Sequence, residues 1–397
     1  MPGCRADIAA LMHAFILTIK LLFVGLILSA DVFYILCVIA AIKFFREPAI
    51  KEEGEEPPVS ILVPLHGADF QADENYGSLC SQDYGDYQIV FGVQDKDDPS
   101  VPIVRRLIDK FPSRDIHLLI CPDTIGENLK VSNLQNMLAE AKHEYLVIVD
   151  SDIRVDKHYL RSIVGPLCLQ GVGLVTCLYR AAGAPNIVAA LEGIGITAEF
   201  APGVLCAWLL EGMTFALGST IALKRETLLG IEGFKSLANY LADDYMLGNL
   251  VFRNGGEVHL ARHVVETTLA PIKFFTMIKH QARWARTMRM SRPFGYLGLA
   301  LTYGTAFALL NAAVDRCSMQ SLLFLGSTFG VRFGMAWLIG VHWLKDGVLK
   351  RYFWLLPLRD VLSPVIWVLG LVRTRVEWRG RTFKVLRDGK IAAVGEN

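Results

Sequence analysis

Charge is scarce in this 397-residue chain: Asp, Glu, Lys and Arg make up 20% of it, against 53% apolar residues. That balance excludes an ordinary soluble enzyme and points to a membrane protein with a soluble part. Net charge is missing as well. At +1 the field of the whole chain steers no partner, and a nucleic-acid partner is not expected. The eight cysteines, at 4, 37, 80, 121, 168, 177, 206 and 317, form no CxxC pair and no zinc-spaced Cys/His cluster. They are expected to be reduced and mostly buried, as in a catalytic part that faces the cytosol. No GxGxxG follows the first strand-like run, and the P-loop pattern Gly-x4-Gly-Lys-Ser/Thr does not occur. A Rossmann dehydrogenase and a P-loop nucleotidase are both disfavoured. The lone Gly171-Val-Gly173 reads as a turn. Internal repeats and low-complexity tracts are absent too.

Long hydrophobic runs are present. Residues 12–44 are strongly apolar, interrupted by Lys20 and Asp31, and Leu21 to Lys43 is long enough to span a bilayer. Lys43, Arg46 and Lys51 follow, so the positive-inside rule puts the next segment in the cytosol. Lys51 to Pro58 reads as a charged, proline-stopped linker. After residue 293 three further membrane candidates appear: Phe294–Val314, Ser321–Trp343 and Tyr352–Val372. Three full spans would put the C-terminus outside, yet seven basic residues between Arg373 and Lys390 favour the inside. One re-entrant or interfacial segment resolves the conflict. The last, interrupted by Pro357 and Pro364, is the expected one. The costly charges Lys20, Asp31, Arg332, Arg359 and Asp360 are expected to pair between helices or to snorkel.

Between these runs the pattern alternates. Val59–Leu65, Tyr87–Val93, Ile116–Ile120 and Tyr145–Val149 read as strands, with helices at Val101–Lys110 and Leu129–Lys142. Val172–Tyr179 and Gly256–Leu260 are later strand candidates. The rhythm predicts an α/β fold with a mostly parallel sheet. Pro185–Phe215 is apolar except for Glu192, Glu199 and Glu211. It reads either as an interfacial insertion over which a lipid enters or as a pair of core helices.

Four constellations carry chemistry. Asp150-Ser151-Asp152 ends the run Tyr145–Val149 and delivers two carboxylates to a sheet edge. Such oxygens favour a hard divalent cation, Mg²⁺ or Mn²⁺, which most often serves a phosphate. An isolated Asp-x-Asp is more often a solvated turn. Asp95 follows the strand Tyr87–Val93 and either accepts from a nucleotide or belongs to a helix cap, a task for which Asp98 is better placed. Lys130 enters a helix and either reaches a pyrophosphate or stands in solvent. Asp243-Asp244 precedes an apolar helix, which they cap, or one of them is a general base with a raised pKa. Lys273 to Arg292 holds six Lys/Arg and no acid. It reads as a lipid-facing basic strip in which Arg283 also suits a diphosphate, Gln281 stands two residues before it, and Trp284 suits the wall of a sugar or acceptor site.

The series Asp95, Asp150-Ser-Asp152, Asp244, Gln281-Ala-Arg283-Trp284 resembles the D, DxD, D, QxxRW series of inverting GT-A glycosyltransferases. Gly92-Val-Gln-Asp-Lys-Asp-Asp-Pro99, Asp150-Ser-Asp-Ile-Arg-Val155 and Trp378-Arg-Gly-Arg-Thr-Phe383 resemble the ceramide glucosyltransferase family more narrowly. The resemblance runs from the first apolar run to the basic tail. It implies a GT-A nucleotide-sugar domain at 51–292, a membrane anchor at 1–50, membrane helices at 293–372 and a basic tail at 373–397. It also implies a UDP-sugar donor, a divalent cation and a lipid hydroxyl acceptor. Asp95, Lys130, Gln281, Arg283 and Trp284 would hold donor and acceptor, Asp150 and Asp152 the metal and diphosphate, and Asp244 would be the base. Animal ceramide enzymes resemble an Asp-Ser-Gly version of the second motif and carry a His-Pro pair where this chain has Phe200-Ala-Pro202. Bacterial hopanoid-associated glycosyltransferases look similar in Thr176-Cys-Leu-Tyr-Arg180 and Leu241-Ala-Asp-Asp-Tyr-Met-Leu-Gly248. That resemblance implies a polyol lipid and UDP-N-acetylglucosamine rather than ceramide and UDP-glucose. A processive polysaccharide synthase and a membrane transporter or scaffold are the alternative readings.

Overall fold

A computed structural model describes residues 2–47, 56–372, 375–378, 381–386 and 389–393. Most of the linker expected at 51–58 lies outside these residues. β1 (Val59–Pro64), β2 (Tyr87–Val93), β3 (Asp115–Ile120) and β4 (Tyr145–Val149) make the parallel half of one sheet. β5 (Ile153–Arg154), β6 (Val172–Ala181), β7 (Thr220–Lys224) and β8 (Glu257–Thr267) complete it in the order β3-β2-β1-β4-β7-β6-β8-β5. β7 runs antiparallel to both of its neighbours, and β5 antiparallel to β8. The sheet is thus mostly parallel, as the alternation predicts.

Period-two alternation splits the central strands between two cores. Ile61, Val63, Val147 and Val149 pack on one face with Tyr76, Leu107 and Tyr159. Leu62, Leu146 and Ile148 pack on the other, with Leu134 of α2 (Leu129–Glu140). Asn128 caps α2, its side chain accepting from the Val131 N–H at 3.1 Å. This second core is continuous with α1 (Pro2–Arg46), which contributes Tyr34, Cys37, Ala40 and Phe44.

Pro185–Phe215 resolves into α3 (Ile187–Gly195), a π-helical turn (Ile196–Phe200) and α4 (Ala201–Glu211), followed later by α5 (Asp243–Arg253) and α6 (Phe274–Ser291). Among the described residues four helices, Ala14–Arg46, Ile187–Glu211, Met319–Trp343 and Phe353–Val372, are long and apolar enough to cross a membrane. The bend lies elsewhere than expected. Pro293–Thr302 and α7 (Gly304–Val314) meet at 47°, whereas α8 (Met319–Ala336) and α9 (Leu356–Val372) are unbroken. α9 runs through Pro364, and the Oγ of the preceding Ser363 donates to the Arg359 carbonyl at 2.9 Å. The expected pairing of charges within these helices is present: Lys20 with Asp315, and Arg332 with Asp360 at 2.7 Å. Asp31 accepts from Thr328 Oγ1 at 3.1 Å.

The basic tail is a small antiparallel sheet of β9 (Arg375–Trp378), β10 (Arg381–Val385) and β11 (Ile391–Ala393). It docks on the segment before α5, where Ile391 N–H donates to the Asn239 carbonyl at 2.7 Å. Cys37, Cys80, Cys121, Cys168, Cys177, Cys206 and Cys317 are free thiols.

Candidate active site

Sheet register assembles the acidic centre. Val149, the last residue of β4, pairs with Thr220, the first of β7. Asp150 therefore leaves the sheet beside the chain that enters β7, at Gly218. A Cβ on Gly218 would lie 2.8 Å from Asp244 Oδ2 and 3.1 Å from Asp150 Oδ2. A side chain at this position would push one or both carboxylates aside. Asp244 stands in the first turn of α5, where its Oδ1 accepts from the Tyr245 N–H at 2.7 Å. The β5–β8 pairing sets Asp152 against the end of β8. Thr267 Oγ1 donates to Asp152 Oδ2 at 2.7 Å, and the Thr268 N–H donates to the Asp152 carbonyl at 2.8 Å. Ser151 is tied through its hydroxyl to Asp69.

Lys130, in the first turn of α2, is not a solvated lysine. Its side chain is 14% exposed, with Nζ 2.6 Å from Asp150 Oδ1 and 3.4 Å from Asp243 Oδ2. Burial works against its charge, but Asp150, Asp243 and Asp244 together raise its pKa above the usual lysine range. The carboxylates repel one another in turn. Burial, then Asp243 and Asp150, push the Asp244 carboxyl up to about 6 despite Lys130. Burial and Asp150 push Asp152 up to about 7.

No three His, Cys, Asp or Glu side chains gather into a cation cage among the described residues. A cation that relies on substrate phosphates needs only one or two carboxylates. Asp152 fits that need: its side chain is held by a hydroxyl, and the charges that act on it, Asp150 and Asp69, are both negative. Asp150 and Asp152 are the residues that would hold Mg²⁺ or Mn²⁺ here.

Asp95 lies just past β2, exposed, with Oδ1 accepting from the Asp97 N–H at 3.0 Å. The structural work falls to Asp98, which accepts from the Gly67 N–H at 2.8 Å and from Ser100 Oγ at 2.6 Å. Those bonds hold its carboxyl below the usual range, although burial opposes them. Asp95 and Asp150 thus emerge from the two strands that flank β1, at the same edge of the sheet.

The α6 residues divide. Gln281 is buried and turned inward, its Nε2 donating to Glu192 Oε1 at 3.4 Å and its Oε1 accepting from Arg359 Nη2 at 3.2 Å. Trp284 is half-exposed and packs on His280 at 4.9 Å between centroids. Both line a cavity of about 580 Å³, and Asp244 lines it too. Arg283 is half-buried on the same helix, outside that lining. The cavity is walled mainly by apolar side chains of α1, α4, α6 and α9. Sequence reasoning missed Gly218 and Thr267 as parts of the acidic centre, and Glu199 and Arg359 as parts of the cavity wall. Charge inside an apolar run was the one signal for the last two.

Residues 22–391 match the family described as glycosyl transferase family 21. Ceramide glucosyltransferase 3 of Caenorhabditis elegans is 21% identical over 364 residues, covering 88% of this chain and 77% of that protein. Ceramide glucosyltransferase 1 of the same organism is 22% identical over 349 residues, covering 84% and 73%. Among solved structures, the mannosyltransferase PcManGT from Pyrobaculum calidifontis, in complex with GDP-Man and Mn²⁺, superposes with a TM-score of 0.54. It is 17% identical and covers 90% of this chain and 98% of its own, a likeness that shows the GT-A fold.

Proposed function

The chain belongs to glycosyl transferase family 21 and is a sugar-transferring enzyme, and from that premise we propose that it moves one sugar from a UDP-sugar to a hydroxyl of a membrane lipid, with inversion. The observation that carries this reading is the cavity. It joins Asp244 to the interior of helices long and apolar enough to cross a membrane. A lipid hydroxyl presented to a base is what such a space accommodates. The donor is UDP-glucose or UDP-N-acetylglucosamine, and the acceptor is ceramide or a hopanoid polyol. Relatives named as ceramide glucosyltransferases support the first of each pair.

In the proposed step the acceptor oxygen attacks the anomeric carbon on the face opposite UDP. Its proton passes to Asp244, and the bond from that carbon to the β-phosphate oxygen breaks. Single displacement inverts the centre. Asp95 accepts from the nucleotide at the sheet edge. Lys130, already bound to Asp150, and Arg283 balance charge on the departing diphosphate. A divalent cation on Asp150 and Asp152 supplies further neutralisation of the phosphates when bound. Trp284 and Gln281 stand on the acceptor side of Asp244.

The same reading makes this an integral, multi-pass protein with its catalytic part, about residues 51–292, on the cytosolic side. The small basic sheet supports that orientation for residues 373–397. It bonds to Asn239, five residues from Asp244, and so lies on the catalytic side. The test is to incubate the purified protein in lipid nanodiscs with each UDP-sugar and with ceramide or a polyol lipid, followed by mass spectrometry. One hexose or one N-acetylhexosamine per lipid is the expected mass gain. A long polymer would convert the reading to a processive synthase, and transfer to water alone would refute the lipid acceptor.

A further inference from the structure

The interior of the cavity is more polar than an alkyl chain requires. Arg359 of α9 is 4% exposed and lines it. Its Nε donates to Glu199 Oε1 at 3.1 Å, and its Nη2 donates to Glu199 Oε2 at 2.8 Å and to Gln281 Oε1 at 3.2 Å. Its Nη1 is buried and has no partner. The second arginine on this wall, Arg332, is spent differently. Its Nε and Nη2 hold Asp360, and its Nη1 donates to the Ala198 carbonyl at 2.9 Å, a group on the π-helical turn. The two guanidiniums differ in one respect: Arg359 keeps a donor in reserve.

A buried donor left unmade costs about 1–3 kcal/mol, so its retention needs an occupant that repays it. The occupant is not an anion. Arg359 is matched by Glu199, and Arg332 by Asp360, at the same wall. No formal positive charge is left over, and a second negative group would be desolvated without compensation. What fits is a neutral oxygen. Space for the guanidinium is built in: a Cβ on Gly195 would lie 2.6 Å from Arg359 Cζ and Nη2.

We propose that Arg359 Nη1 is a specificity-determining donor for a second, uncharged oxygen of the lipid acceptor, an amide carbonyl or a further hydroxyl, distinct from the hydroxyl that receives the sugar. This rests on the reading that the cavity takes the acceptor. It narrows the substrate class to lipids with an oxygen-bearing body and excludes simple long-chain alcohols as good acceptors.

The test compares 1-hexadecanol, 1,2-hexadecanediol and a short-chain ceramide as acceptors for the full chain in nanodiscs. A hydrogen bond to a charged group is expected to lower KM for the better of the last two by about 10–100-fold relative to hexadecanol. Arg359→Lys keeps the charge that faces Glu199 and removes the fork. It should erase most of that preference, read as the ratio of the acceptor KM values, while KM for the UDP-sugar stays within about twofold. Gly195→Ala, which displaces the guanidinium without deleting it, is the second variant and should act in the same direction. Equal KM values for the three acceptors in the parent protein would overturn the subsite alone. So would a preference that survives both variants. Transfer to none of them, with either UDP-sugar, would overturn the lipid-acceptor reading and the subsite with it.

Discussion

Replacing Asp244 by Asn separates what the carboxylate does for chemistry from what it does to the fold. In the folded chain burial and the charges of Asp243 and Asp150 place this carboxyl at about 6, against 3.8 for an ordinary aspartate. The folded state therefore binds the proton more tightly than the unfolded state. That stabilisation is complete below 3.8 and is lost as the pH rises through about 6. At about 1.4 kcal/mol per decade of acidity, the ionised Asp244 costs the fold about 3 kcal/mol at pH 8. This is an upper bound, because the side chain keeps some contact with the open cavity, where water screens it. Asn is neutral at every pH and nearly isosteric. Asp244→Asn should accordingly melt a few degrees higher than the parent at pH 8, with the gap about halved at pH 5 and closed only below 3.8, when both are measured without donor or cation. The same variant should lose about 10²–10⁴-fold in transfer while UDP binding is largely kept. In the parent, transfer should fall as the pH drops through about 6, where the base becomes protonated. A melting difference that ignores pH would refute the electrostatic reasoning. Near-normal turnover in the variant would refute the assignment of the base.

Three further outcomes follow from the geometry. Gly218→Ala puts a methyl carbon 2.8 Å from Asp244 Oδ2. It should cut kcat at least tenfold, by the logic that small displacements of reacting groups are costly, while circular dichroism stays unchanged; full activity would show that the two carboxylates need not converge. Asp152→Ala should weaken the divalent-cation dependence of UDP-sugar binding, and an unchanged cation titration would count against its role. Arg332→Leu alone strands Asp360 in the bundle and should destabilise the protein by about 3–5 kcal/mol, whereas Arg332→Leu with Asp360→Leu should lie much nearer the parent. Comparable thermal losses in single and double variants would show that the pair is not the relevant unit.

The strands Tyr87–Val93 and Tyr145–Val149 and the helix Val101–Lys110 could be read to the residue because burial there leaves unbroken signatures in the chain. β5 and β7 could not. Two residues at Ile153–Arg154 and five at Thr220–Lys224 become strands only because β8 and β4 lie alongside. β8 runs seven residues beyond the expected end at Leu260, since Arg262 and His263 interrupt its apolar pattern while its backbone pairs with β6 on both sides of them. The site follows the same division. Asp150, Asp152, Asp244 and Trp284 stand in short local patterns. Gly218 carries no local mark; its meaning comes from the register that brings it between two carboxylates 68 and 26 residues away in the chain. Glu199 and Arg359 were visible as misplaced charges, but their bond joins residues 160 apart.

One core runs from the sheet into α1, with Leu62 and Leu146 in the same cluster as Tyr34, Ala40 and Phe44. The catalytic part is therefore not a cargo hung on a leash. Its position relative to α1 is a built dimension, set by side-chain packing in the way that a keystone sets the height of an arch. A fragment cut after Arg46 to gain solubility would lose one wall of that core and expose the apolar face it covers. For the same reason, on the proposed lipid acceptor, the carboxylates would not search for it in three dimensions. They would stand at a fixed depth while it diffused past in two.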